Sequence, residues 1–208
     1  MRNMFVRLTG ATLTFSILAL AGCMSLGEGQ TPSSAFYQLN PIAVSSGEGQ
    51  VEEGGQDLAI AVGPVNFPDY LNRPQMVIRQ NQNELELEEF HRWAEPLKDN
   101  FSSVLGENLS ILLSSDRIAV FPWSRFVATD YQVAVRVVRF DGKPGESASL
   151  VARWSILKKK AKEVLFVKSS SFTEPTGRNG YKALVEAQSR TVEALSREIA
   201  AAIKEIGR

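Results

Sequence analysis

The 208-residue chain carries 23 Lys and Arg against 23 Asp and Glu, with one histidine and one cysteine. Balanced charge excludes the basic surplus that nucleic-acid binding requires. A lone cysteine excludes an intramolecular disulfide framework, and a lone histidine excludes a His-pair metal site.

Arg2 and Arg7 precede a mostly apolar run over 8–20, and Leu20-Ala21-Gly22-Cys23 closes it. A positive start, a short apolar run and small residues before a cleavage point describe a secretory signal. The small pair before the cysteine resembles a bacterial lipobox. In this reading residues 1–22 are removed, and Cys23 becomes the first residue of the mature protein, with acyl chains on its sulfur and nitrogen. A transmembrane anchor is the first competitor. At about 1.5 Å per residue the run spans only ~20 Å of a ~30 Å hydrocarbon core, and Thr9, Gly10, Thr12, Thr14 and Ser16 weaken it further. A buried globular helix is the second, but it would not confine its arginines to one end. Each buried methylene contributes about 0.8 kcal/mol, so two or more chains anchor stably. Met24 stands where an Asp would mark inner-membrane retention in enteric-type bacteria, so the periplasmic face of the outer membrane is the expected address. Residues 23–34, rich in Gly, Ser and Gln, read as a lipidated start and a tether. One domain is expected over 35–208.

A first short strand covers 36–39. The Gly- and Glu-rich stretch 45–56 is too polar to pack and reads as a solvated loop. The strand 57–63 carries Leu58, Ile60 and Val62 on one face and Ala59 and Ala61 on the other, a central-strand pattern. Strands 76–79 and 85–88 flank Asn81-Gln82-Asn83 as a hairpin, with Leu85 and Leu87 facing the core and the alternating glutamates facing water. A helix starts at Pro96 with Leu97, Phe101, Val104, Leu105, Leu109 and Leu112 as its stripe. Asn108, beside that stripe, reads as a hydrogen-bonded amide near the core. Strand 131–140 shifts phase at Val137-Val138, which predicts a bulge. Asp141-Gly142-Lys143-Pro144-Gly145 predicts a turn. Strand 150–157 places Trp154 with Leu150 and Ile156. The lysine-rich 158–162 reads as a solvated turn, and strand 164–168 completes an antiparallel meander. A long helix over 181–206 repeats Leu184, Val185, Gln188, Val192, Leu195, Ile199, Ile203 and Ile206 at spacings of three and four. Glu186–Arg190 and Glu193–Arg197 form i,i+4 pairs on it. The fold class is α/β: one domain with a mixed, mostly antiparallel sheet covered by two long helices.

Catalytic chemistry is thinly supplied. His91 is the single candidate base, Cys23 is blocked by acylation, and no G-x-S-x-G, P-loop or H-E-x-x-H occurs. Carboxylates could serve a hydrolase, but most fall on solvent-facing positions, so no enzyme activity is expected. No metal and no cofactor are expected beyond the acyl chains on Cys23. The segment 63–75 holds three prolines and two aromatic residues. It reads either as a packed connection or as a stiff docking loop with Phe67, Tyr70, Leu71 and Arg73 as anchors. His91-Arg92-Trp93-Ala94-Glu95-Pro96 reads as a loop entering the first helix, with Trp93 in the core, or as a second partner contact through His91 and Trp93.

Phe36-Tyr37-Gln38-Leu39, VGPVNFPDYLNRPQMVIR at 62–79, HRWAEPL at 91–97 and GENLSILL at 106–113 together resemble the ABC-type transport auxiliary lipoproteins of the PqiC (YmbA) type. RFDGKPGESASLVARWSI at 139–156 and LSREIA at 195–200 fit as well. The resemblance implies a non-catalytic outer-membrane lipoprotein that docks an MCE-domain protein of PqiB type in an intermembrane lipid transport system, and a mixed sheet under helices. Homo-oligomeric assembly is expected, because MCE proteins form rings and a ring end is best met by a matching ring. A different function class stays open: a periplasmic lipid carrier or acceptor with an apolar pocket of its own.

Overall fold

The computed structural model describes residues 33–43, 58–123, 128–158 and 163–207. The predicted leader, the cysteine expected to carry acyl chains, the glycine-rich loop and most of the lysine-rich turn lie outside them. The strands are β1 (Ala35–Tyr37), β2 (Ile60–Asn66), β3 (Gln75–Arg79), β4 (Leu85–Trp93), β5 (Ile118–Val120), β6 (Tyr131–Gly142), β7 (Ser147–Lys158) and β8 (Glu163–Pro175). Among the described residues the helices are α1 (Leu97–Leu113) and α2 (Tyr181–Ile206), and a 3-10 turn spans Asp69–Leu71. All eight strands form one sheet. Its order is β1-β4-β3-β6-β2-β5, with β7 on β6 and β8 on β7. The predicted class holds: a single α/β domain, a mixed sheet and two helices, with the two long antiparallel ladders β6–β7 and β7–β8 carrying the meander.

β2 is central, parallel to both β5 and β6. Ile60, Ala61 and Val62 are completely buried, as expected for a strand covered on both faces. The strand does not stop at Gly63. It continues through Pro64, which lacks a ladder donor, and the register with β6 shifts there, between Val62 and Val65. The predicted bulge in β6 is present between Val137 and Arg139. The predicted turn after it begins later. Asp141 and Gly142 are still strand, and Glu146 N–H closes the turn on Lys143 O at 3.1 Å.

α1 buries Leu97, Phe101, Val104, Leu105 and Leu109 as its spacing predicts. Leu113, not Leu112, closes the stripe, and Pro96 is the N-cap rather than the first helical residue. Gly106 lets α1 approach β5: a Cβ there would stand 2.6 Å from Val120 Cγ2. Two amides in α1 hold the stretch after β1, which has no strand partner. Asn100 Oδ1 accepts the Leu39 N–H at 2.7 Å, and Asn108 Oδ1 accepts the Ile42 N–H at 2.8 Å. Asn108 also donates to Ser196 on α2, which fulfils its predicted role. α2 buries Leu184, Val185, Gln188, Val192, Leu195, Ile199 and Ile203, and Ile206 is partly buried against the core. The Glu193–Arg197 pair forms at 2.7 Å. The Glu186–Arg190 pair does not. Glu186 takes Arg178, and Arg190 takes Glu174, because the end of β8 and the turn after it bring those partners closer.

Candidate functional site

The proline-rich segment leaves the sheet after Asn66 and turns inward. Phe67 stands edge-on to Phe101 at 5.2 Å and to Phe140 at 6.3 Å. Leu71 is buried in the core, and its N–H closes the 3-10 turn on Pro68 O at 3.0 Å. The Tyr70 hydroxyl reaches Asp141 Oδ2 at 3.4 Å. Asp141 has no exposed side-chain surface. It accepts Arg79 Nε and Nη2, each at 2.8 Å, and Arg139 Nε at 2.6 Å. Burial, then the charge of Asp141, raises the pKa of the Tyr70 phenol. Burial works against the Arg79 charge, but the hydrogen bond and charge of Asp141 outweigh it and raise that pKa too. Phe67 and Leu71 are therefore engaged inside the fold, and Tyr70 is tied to a buried ionic cluster. The sequence reading missed this cluster because DGKPG has the composition of a turn. The signal for it was Arg79 at the end of an otherwise apolar strand.

Arg73 lies elsewhere. β4 does not end at residue 88. A register shift between Gln75 and Met76 lets it run on, with Gln75 opposite Arg92. His91, Arg92 and Trp93 are thus strand, not loop. The Trp93 N–H donates to Pro74 O at 2.7 Å, and the Ala94 N–H donates to Tyr37 O at 2.9 Å. The first of these bonds joins the two segments that the sequence singled out, and the second ties 91–96 to β1. Between them opens a cleft of ≈ 330 Å³ lined by Arg73, Pro74, Trp93, Glu95, Pro96 and Leu97 among others. Trp93 is 6% exposed, a core residue with one edge in the cleft. Arg73 Nε is buried without a hydrogen-bond partner among the described residues. Glu95 accepts Asn100 Nδ2 at 2.8 Å, which fixes its carboxylate at the rim.

His91 does not reach this cleft. Its ring stacks on Tyr181 at 3.6 Å, and the Tyr37 hydroxyl lies 2.9 Å from its Nδ1. Burial, then a hydrogen bond to Glu88, pushes the Tyr181 pKa well above its ordinary value. Of the six predicted contact residues, the structure brings together Arg73 and Trp93 alone. Among the described residues no three His, Cys, Asp or Glu side chains are grouped to hold a metal ion, and no helix is long and apolar enough to cross a membrane.

A mixed sheet with both helices packed together places a proline-flanked surface cleft beside β4 and the segment before β3. A family model described as the ABC-type transport auxiliary lipoprotein component matches residues 37–200, and the chain belongs to that family. It is accordingly a member of a lipoprotein family auxiliary to transport. A comparison with curated proteins found no match. Among solved structures the chain is similar to an uncharacterized protein at 19% identity and a TM-score of 0.67, covering 82% of this chain and 99% of that one. It is also similar to a DUF330-family protein from Xanthomonas campestris at 15% identity and a TM-score of 0.65, covering 80% and 93%. These likenesses extend the fold.

Proposed function

We propose that the protein is a non-catalytic docking component, held at the periplasmic face of the outer membrane by acyl chains on Cys23. It captures an MCE-domain partner of PqiB type in an intermembrane lipid transport system, as a homo-oligomer. The observation that carries the docking reading is the meeting of the two sequence-specific segments in one cleft. Prolines at 74 and 96 stiffen it, so little conformational entropy is lost on binding. Trp93 and Arg73 are residue types that concentrate binding energy. A guanidinium and an indole lining one cleft suit a partner side chain with a carboxylate next to an apolar group. The family supports the auxiliary role, and the leader ending at Cys23 supports the anchor.

The test is co-purification from solubilised membranes. Arg73→Glu should cut recovery of the MCE protein about tenfold, equivalent to ~1.4 kcal/mol, at an unchanged melting temperature. Full recovery, or loss of fold, sinks the cleft as the docking site. Cys23→Ala should release a folded protein from the membrane fraction, and continued membrane residence would refute the anchor.

A further inference from the structure

Arg136 and Arg153 are Cα partners across β6 and β7. Side chains at such positions leave the same face of the sheet with Cβ atoms roughly 4.5–5.5 Å apart, and like charges directly opposite are destabilising. Both residues are exposed, and neither has an ion pair or hydrogen bond from its side chain to any described residue. Arg79 and Arg139, by contrast, share a buried carboxylate on the same strand system. The neighbouring pairs Val135–Trp154 and Val137–Ala152 alternate to the other face, and all four residues are buried. The arginine pair therefore sits on the opposite, exposed face of these strands.

Two clefts of ≈ 400 and ≈ 220 Å³ flank the pair, and both arginines line both of them. Phe67, Pro68 and Val138 contribute to the first, and Pro64, Ala134 and Val167 to the second. Val138 is 48% exposed and Val167 71%. An uncompensated pair of cations thus stands between apolar troughs.

We propose that this face binds a phosphate-bearing amphiphile, with its phosphate between Arg136 and Arg153 and its apolar chain along the larger cleft. A carboxylate is satisfied by one guanidinium fork. A tetrahedral phosphate offers enough oxygens to engage two forks at once, and its charge relieves their repulsion. The apolar walls distinguish an amphiphile from free phosphate. The site is separate from the Arg73–Trp93 cleft and does not depend on the docking reading.

The experiment is calorimetric titration of the full chain carrying Cys23→Ser with octyl phosphate, inorganic phosphate and octanoate. Octyl phosphate should bind at least about tenfold more tightly than either of the others, a difference of ~1.4 kcal/mol. The double variant Arg136→Gln, Arg153→Gln should weaken it by a similar factor. Without ligand, Arg153→Gln alone should melt no lower than the parent, because it removes a repulsion. Equal binding of inorganic phosphate would mean simple anion binding, and equal binding of octanoate would remove the case for phosphate. Either result overturns the proposal, as does an unaffected double variant or a lowered melting temperature for Arg153→Gln.

Discussion

Arg79 aims Nε and Nη2 at one oxygen of Asp141, both at 2.8 Å, while Arg139 takes the other oxygen at 2.6 Å. The Asp141 side chain has no exposure, Arg79 has 18% and Arg139 has 39%. The carboxylate is thus the buried hub, and its removal would strand Arg79 in a low-dielectric site. Asp141→Asn should lower unfolding stability by about 3 kcal/mol, the low end for a broken buried pair, because Arg139 can turn to water. Lys143→Ala breaks an exposed pair with Glu146 and should change stability by less than ~1 kcal/mol. Urea denaturation of both variants checks the contrast. Equal effects would mean that Asp141 is not the hub.

The approach of α1 to β5 gives a second prediction. A Cβ at position 106 would stand 2.6 Å from Val120 Cγ2, closer than packed carbons tolerate. Gly106→Ala should therefore destabilise by about 1–3 kcal/mol through overpacking, although alanine is the better helix former. Val120→Ala should recover most of that loss in the double variant, since it removes the clashing methyl. Chemical denaturation of the full cycle measures the coupling. Additive losses would place the strain elsewhere.

The helices were legible because their periodicity is local. Phe101, Leu105 and Leu109 announce one buried face, as do Leu184, Leu195 and Ile199. Trp154 and the β6 bulge were legible through alternation. What escaped was non-local. β5 is only three residues long and makes sense only beside β2. The second half of β8, with Ser169, Ser170 and Ser171, is polar, and the ladder with β7 holds it there. Leu85 and Leu87 alternate as a core face should, yet remain 37% and 41% exposed, on the part of β4 that lies beyond its pairing with β1. Phe67 and Leu71 fit both a packed connection and a docking loop, and burial separates those readings. The contact of Arg73 with the Trp93 segment depends on the edge pairing of β1, β3 and β4. The facing of Arg136 and Arg153 depends on register. Neither is written in any short window.

The cluster of Tyr37, His91 and Tyr181 predicts the alkaline behaviour of the fold. Burial, then the hydrogen bond to Glu88, raises the Tyr181 pKa above its ordinary 10.0, and burial raises that of Tyr37. The folded state therefore keeps phenolic protons at pH values where the unfolded chain has released them. With more protons on the folded side, stability must fall as pH rises. Their contribution is complete below about pH 10, the ionisation point of an unperturbed tyrosine, and is lost progressively above it. Tyr181→Phe keeps a ring for His91 to stack on but has no proton to lose. It should be less stable at neutral pH by about 1 kcal/mol for the missing hydrogen bond, and its stability should fall less steeply between pH 9 and 11 than that of the parent. Urea midpoints across that range decide the matter. Parallel curves for the two proteins would show that Tyr181 titrates alike folded and unfolded.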